Sequence, residues 1–522
     1  MVSRQKARTH QLKEMGQPKH RWVVAVILGG AQALAMTYPF AGFMTAALQV
    51  GAFAVFIASL RQSPHPFHSA WLFATSWLAG SVAWLFIALH IYGHMPSWLS
   101  IVAILLLCGG LALYYSSMLW WYVKTAPHIS AWLGVLVLAS AWTMAEMARA
   151  QWFTGFPWAA IGYAQVNSLM SHAAPYVGVY GIGFLAVCAS AILSRVWTTN
   201  SKWRQVLGLL VLAVFLMPAS RQENKTQETI SVRLLQANIS QDVKYSSAKV
   251  EALTWYQDQV LQSPTDLTVL PETAIPYFKE DLPAAYWQPI ERKYQGKEQA
   301  LILGIPTLNG SQGYGNSALV WGMTDGPTQY DKHHLVPFGE FTPDSLKWFN
   351  RLVDFGMTDF KRGVPDPQPF QWQQSHLSVN ICYEDLFGEE LAKRFVRGQD
   401  QVPDILVNIS NLGWFGNNYV VDQHLNIARM RSLEFNRPSV RATNSGGTAI
   451  INAQGEITHV LAPYTRGVLT GQVRAQSEGV TPFAQWAGRW GLQPLWLVCL
   501  LIQVIAAWQF MRSKGQNTET GQ

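Results

Sequence analysis

The chain is short of charge, short of cysteine and, over most of its first half, almost without carboxylates. Only 13% of its 522 residues are Asp, Glu, Lys or Arg, against roughly 25% in ordinary soluble proteins. Between residues 15 and 220 the one carboxylate is Glu146. That scarcity excludes paired-carboxylate chemistry from this half, and it argues against the intramembrane Asp and Glu relays that couple transporters to ions. Of four cysteines, Cys108, Cys188 and Cys499 lie in apolar stretches. Cys382 is alone between Arg221 and Arg489, where charge content is ordinary, so no local disulfide framework is available. Neither HExxH nor CxxC occurs; no metal and no cofactor is expected.

What is abundant is apolar and aromatic: 49% hydrophobic residues and 23 tryptophans, a load expected where indoles anchor at membrane interfaces. Residues 22–60 carry no charge, too long for one span of about 20 residues and right for two. Pro39 marks the break, giving spans 22–38 and 41–60. Residues 62–123 are also uncharged, and Tyr92-Gly93-His94-Met95-Pro96 divides them into spans 70–92 and 98–123. Further spans are expected at 127–146, 173–194, 205–219 and Trp490–Met511, eight transmembrane helices in all. Glu146 and Arg149 stand at helical spacing for an ion pair. Ala33-Leu34-Ala35 resembles a signal cleavage site, but the apolar run continues to Leu60, so the first helix reads as uncleaved.

Residues 1–21 hold Arg4, Lys6, Arg8, Lys13, Lys19 and Arg21 against Glu14. Directly before an apolar run, such a tail signals cytoplasmic retention rather than nucleic-acid binding. With that tail inside, Arg61, Lys124, the Arg195–Arg204 group, Arg512 and Lys514 also fall inside, and the outer loops hold only Arg149. The expected organisation is a basic tail (1–21), a membrane domain of seven helices (22–220), an outer-side domain (221–489), an eighth helix (490–511) and a second tail (512–522). In a bacterium this places the chain in the inner membrane with residues 221–489 in the periplasm.

Within 221–489, strands are expected at Ile230–Ile239, Asp266–Leu270, Ala300–Ile305, Ser317–Met323, Leu377–Ile381, Ile405–Ile409, Ala442–Ile451 and Gly467–Val473. Helices are expected at Ala248–Leu261, Gly388–Val396 and Val421–Glu434. This is an α/β pattern. Cys382 ends the run His376-Leu-Ser-Val-Asn-Ile-Cys382, the sort of strand end that presents a nucleophile. Glu272 follows the apolar strand ending at Pro271, where partial burial favours a general base. Lys332 can lower a nearby thiol's pKa and bind a developing oxyanion. His333 and His334 offer a competing Cys–His dyad.

Leu-Pro-Glu272, Lys332 followed by His334-Leu-Val-Pro-Phe-Gly-Glu340, and Ile-Cys382-Tyr-Glu384 resemble the Glu-Lys-Cys triad of the nitrilase superfamily. Thr154-Gly-Phe-Pro-Trp158 with Gly162-Tyr163, Ile409-Ser-Asn411 with Trp414-Phe-Gly416, and Gln423-His424 followed by Ala428-Arg-Met-Arg431, Leu433-Glu434 and Arg437-Pro438 extend the likeness over nearly the whole chain. It is similar to the bacterial apolipoprotein N-acyltransferases, membrane-bound members of that superfamily. The resemblance implies a polytopic helical domain plus a nitrilase-like α-β-β-α sandwich. It also implies acyl transfer from a phospholipid, phosphatidylethanolamine being the expected donor, through a Cys382 thioester to the α-amine of a diacylglyceryl-cysteine on an apolipoprotein. Glu272 would be the base, with Lys332 and the Tyr383 N–H stabilising the oxyanion. Glu340, Tyr383 and Glu384 would support the triad, while Tyr245, Trp414, Phe338 and Phe341 would contact lipid. Tyr245 stands where the family usually has Trp. Phe153, Phe156, Trp158 and Trp348 are further aromatic candidates for a lipid entry path. Two rivals are a membrane-tethered amidase, in which water resolves the thioester, and a non-catalytic transporter or scaffold.

Overall fold

The computed structural model describes residues 18–38, 43–197, 206, 208, 217, 229–296, 298–308, 313–323, 328–343, 347, 360–365, 367–398, 401–477 and 479–519. Its first half is helical: α1 Pro18–Thr37, α2 Met44–Arg61, α3 Pro66–Ser81, α4 Ser97–Thr125, α5 Ala131–Gln151 and α6 Ala174–Trp197. Five helices among the described residues, one of them at Gln493–Lys514, are long and apolar enough to cross a membrane. A sixth crossing is made if the pair Pro66–Ser81 and Leu85–Tyr92, bent by 67°, counts as one span. The Arg21–Thr37 helix is apolar but shorter.

Of the expected eight spans, the described residues show these five or six. The segment 70–92 is not straight: it breaks after Gly80-Ser81, and Gln423 of the second half donates to the Ser81 carbonyl at 3.0 Å, satisfying a backbone acceptor at the bend. The expected span 205–219 lies almost entirely outside the described residues. α5 and α6 are mostly buried (78% and 72% of their apolar windows), whereas the last helix is only 11% buried. The former pair are therefore central and the latter is largely exposed. Glu146 and Arg149 do not form the expected ion pair among the described residues. Glu146 Oε1 accepts from the Ile161 N–H at 2.9 Å, and Arg149 donates to Tyr115 Oη at 2.9 Å and the Phe156 carbonyl at 2.6 Å. Each side chain is held by these separate hydrogen bonds, with Glu146 Oε2 and Arg149 Nη2 left without a partner among the described residues.

The second half is a sandwich of two six-stranded sheets. One runs β12-β1-β2-β3-β4-β5, the other β11-β10-β9-β8-β7-β6. The strands are β1 Thr229–Gln236, β2 Leu267–Val269, β3 Ala300–Leu308, β4 Tyr314–Trp321, β5 Thr328–Asp331, β6 Phe370–Trp372, β7 Ser375–Ile381, β8 Ile405–Ser410, β9 Ser439–Thr443, β10 Ala449–Ile451, β11 Ile457–Val460 and β12 Gly467–Arg474. Each sheet has a parallel centre, β1-β2-β3 and β7-β8-β9. The expected single strand Ala442–Ile451 is two, β9 and β10, because Gly446 and Gly447 take positive φ and turn the chain back.

Alternation builds the core. Leu377, Val379 and Ile381 of β7 and Ile405, Val407 and Ile409 of β8 meet Val232, Leu234, Leu267, Val269 and Ile302 of the facing sheet. Burying each such side chain stabilises by about 1.5–3 kcal/mol. A carboxylate at Val407 would undo that packing. Helices α7 Lys249–Leu261 and α8 Ala284–Tyr294 cover the outer face of the first sheet. The second sheet is covered by α9 Gly388–Ala392, α10 Val420–Phe435 and α11 Pro482–Trp490; α12 Gln493–Glu519 follows. One continuous core runs from the helices of the first half into Val420, Ile427, Met430 and Leu433 of α10. The two halves are thus packed as one body along α10.

Candidate active site

The C-terminal ends of parallel strands from both sheets converge at one end of the sandwich, where open α/β sheets commonly place their sites. Glu272 comes from the turn after β2. It lies against β3 so closely that a Cβ on Gly304 would stand 2.3 Å from the Pro271 carbonyl and 2.7 Å from Glu272 Cα. Only glycine leaves that space. Lys332 follows β5, its N–H donating to the Asn316 carbonyl at 2.8 Å. Cys382 follows β7 with φ 51°. A non-glycine residue in the left-handed region is strained and marks a functional turn. The turn is held by Glu384, which accepts from the Ile381 N–H at 2.6 Å, the His333 N–H at 2.8 Å, the His334 N–H at 3.1 Å and Tyr330 Oη at 2.6 Å.

The three expected residues are together. Lys332 is 1% exposed, and its Nζ lies 3.3 Å from Glu272 Oε1 and 2.9 Å from Glu340 Oε1. Asn316 Nδ2 donates to both carboxylates at 2.7 Å. Glu272 Oε2 accepts from the Asn411 N–H at 2.9 Å, and Glu340 Oε2 from the Val336 N–H at 2.8 Å. Burial works to lower the Lys332 pKa, but Glu272 and Glu340 outweigh it, and the ammonium is held charged. Cys382 is partly exposed. Burial first, then the negative charge of Glu272, pushes its thiol up, with Lys332 opposing. The nucleophile therefore rests protonated at neutral pH and needs a base.

The Cys–His alternative does not form. His334 Nδ1 faces Glu390 Oε1 at 3.1 Å, its Nε2 faces the Thr154 carbonyl at 3.1 Å, and its ring stacks on Phe387. His333 Nδ1 faces the Gly363 carbonyl at 2.8 Å. Among the described residues no group of three His, Cys, Asp or Glu side chains gathers to hold a metal.

The expected contact residues differ in exposure and packing. Tyr245 is 44% exposed and Phe338 36%. Phe341 sits under the Arg362 guanidinium. Trp414 packs edge-on against Tyr92 with ring centroids 5.3 Å apart, and Phe415 against Trp84 at 4.5 Å. Trp158 is not at an entrance: it is buried and donates to Gln423 Oε1 at 2.7 Å. Trp348 lies outside the described residues. Phe153 is fully presented, 90% exposed at φ 53°. Sequence reasoning missed Asn316 and the Asn411 N–H as ligands of Glu272; their only signal was a polar residue inside an apolar strand and one just after a strand.

A two-sheet sandwich with Glu, Lys and Cys at its strand ends defines a carbon-nitrogen hydrolase, and residues 231–483 match the family of that description. Residues 32–192 match the family described as the apolipoprotein N-acyltransferase N-terminal domain. The chain is 41% identical over 499 residues to the apolipoprotein N-acyltransferase of Verminephrobacter eiseniae, covering 90% of this chain and 92% of that one. It is 36% identical over 447 residues to the namesake of Ralstonia nicotianae, covering 84% and 85%. The chain belongs to the apolipoprotein N-acyltransferase family. Among solved structures, a CN-hydrolase superfamily protein of Xanthomonas campestris aligns with a TM-score of 0.37 at 17% identity, over 51% of this chain and 97% of that one.

Proposed function

We propose that the protein transfers an acyl chain from a phospholipid, phosphatidylethanolamine first among them, to the α-amine of the diacylglyceryl-cysteine of apolipoproteins. Glu272 takes the Cys382 proton as the sulfur attacks the donor's ester carbonyl. Lys332 and the Tyr383 N–H bear the oxyanion. The C–O bond breaks, Glu272 returns the proton, and lysophospholipid leaves a thioester on Cys382. The acceptor amine then attacks the thioester, Glu272 takes its proton, and the amide forms as the thiol is regenerated. Glu340 positions Lys332. Tyr245, Trp414, Phe338 and Phe341 contact lipid. The proposed topology has eight spans in a bacterial inner membrane, with residues 221–489 in the periplasm.

The observation that carries this reading is the buried Lys332, shared by Glu272 and Glu340 beside the strained Cys382 turn, in a domain seated directly on apolar helices. Placing the site at the bilayer spares extraction of lipid chains, which costs roughly 0.8 kcal/mol per CH₂. The test is transfer to a synthetic diacylglyceryl-cysteine peptide in phosphatidylethanolamine micelles. A peptide heavier by one amide-linked acyl chain supports the reading. Turnover of a soluble amide without lipid, and no modified peptide, would favour the amidase.

A further inference from the structure

The triad does not use Lys244, a buried cation that is only 1% exposed. It closes the short helical turn Gln241–Lys244, and its Nζ donates to Thr273 Oγ1 at 2.9 Å. Thr273 directly follows Glu272 and holds φ 45°, a conformation a β-branched residue adopts only under constraint. The other end of the same turn reaches the same carboxylate. Gln241 Nε2 donates to Asn411 Oδ1 at 2.9 Å, and the Asn411 N–H donates to Glu272 Oε2 at 2.9 Å. One four-residue turn therefore holds both the residue after Glu272 and the residue whose N–H binds its carboxylate. The next residue is Tyr245, whose ring stands 5.9 Å from Lys244 Nζ and whose hydroxyl turns to the same Thr273.

We propose that the turn Gln241–Lys244 is a bracket on the general base, in which Lys244 is the positioning residue that holds Thr273 in its strained turn and so aims Glu272 at Cys382. Because Tyr245 continues the turn onto the surface, a lipid seated on Tyr245 stiffens the bracket, and base alignment becomes coupled to donor binding. This rests on the acyl-transfer reading. The groups facing Lys244 are Glu272 across the turn and the Tyr245 phenol, with Asp242 exposed on its own element. Burial pushes the Lys244 ammonium down to about 7, with Glu272 opposing, so its charge changes within the working range.

The experiment compares wild type, Lys244→Met, Thr273→Ala, Thr273→Ser and the Lys244→Met/Thr273→Ala double variant in detergent–phospholipid micelles. Two rates are read against pH: Cys382 acylation by phosphatidylethanolamine, and Cys382 alkylation by iodoacetamide, which needs no lipid. Misaimed catalytic groups commonly cost about 100-fold. The expected result is a fall of roughly that size in kcat for acylation in Lys244→Met and in Thr273→Ala, with KM within about twofold. The double variant is no slower than Lys244→Met. Thr273→Ser recovers most of the loss of Thr273→Ala, and an inflection near pH 7 disappears only where Lys244 is absent. Multiplicative losses in the double variant, or a change confined to KM, would overturn the bracket. Wild type that is alkylated but never acylated would instead overturn the acyl-transfer reading. In that case slowed alkylation in Lys244→Met would still support the bracket, and unchanged alkylation would refute it.

Discussion

The hydroxyl of Tyr383 donates to the carbonyl of Gly155 at 3.1 Å, across 228 residues of chain. Tyr383 adjoins Cys382, and Gly155 belongs to the loop that closes α5 among the helices. The nucleophile turn is thereby braced by the apolar half. The brace is itself strained: Phe153, Thr154 and Gly155 all have positive φ, and Arg149 pins the loop through the Phe156 carbonyl at 2.6 Å. Tyr383→Phe is expected to lower the acylation rate about fivefold, since one hydrogen bond nets roughly 1 kcal/mol, while leaving detergent-solubilised protein folded by circular dichroism.

Gln423 joins the halves through three hydrogen bonds. Its Oε1 accepts from Trp84 Nε1 at 3.0 Å and Trp158 Nε1 at 2.7 Å, and its Nε2 donates to the Ser81 carbonyl at 3.0 Å. Gln423→Leu strands two buried indole N–H groups and a carbonyl, each costing about 1–3 kcal/mol. Limited proteolysis is expected to cut the variant near α10 under conditions that leave wild type intact.

Lys332→Met and Glu272→Gln separate by what each leaves behind. Glu272→Gln removes the base and is expected to slow acylation by about 10²–10⁴-fold. Lys332→Met also leaves the buried Glu272 and the partly buried Glu340 without their cation, a loss of about 3–5 kcal/mol. Chemical denaturation is therefore expected to show Lys332→Met strongly destabilised and Glu272→Gln near wild type. Asn316→Ala falls between them, because Glu272 Oε1 and Glu340 Oε1 each lose one donor and keep Lys332.

Stability carries a pH signature at Glu389. Burial pushes this carboxyl from 4.5 up to about 7. Between those values the folded chain binds a proton that the unfolded chain has lost, so its contribution is full below about pH 4.5 and is lost as pH rises through 7. Glu389→Gln stays neutral at every pH. It is expected to raise the unfolding free energy at pH 8 by roughly 1–3 kcal/mol relative to wild type, and to change little at pH 5.

Glu272 and Cys382 are conspicuous in the sequence because each follows a short apolar strand, whereas Lys332 follows the polar strand Thr328–Asp331 and is legible only through the resemblance of its segment to the nitrilase superfamily. Sequence alone did not reach Asn316 or Lys244 as partners of the site. Asn316 acts by standing opposite Pro306 in the β3–β4 register, and Lys244 by meeting Thr273 from another layer. Such contacts arise from tertiary pairing, which periodicity does not record. The same holds for the segment 70–92: its hydropathy is that of one span, and the backbone carbonyl at its 67° bend is satisfied by a Gln423 that lies 342 residues away. The histidines after Lys332 misled in the opposite sense, since adjacency in sequence put them near the site while Glu390, Gly363 and Phe387 hold their rings elsewhere.

The central claim is a thioester on Cys382. Purified wild type and Cys382→Ala are incubated with phosphatidylethanolamine and the peptide containing residue 382 is weighed by mass spectrometry. A gain of one acyl chain on the wild-type peptide, removed by hydroxylamine and missing from the variant, is the predicted result. Folded wild type that stays unmodified in excess lipid would contradict the account, because phospholipid would then not be the donor.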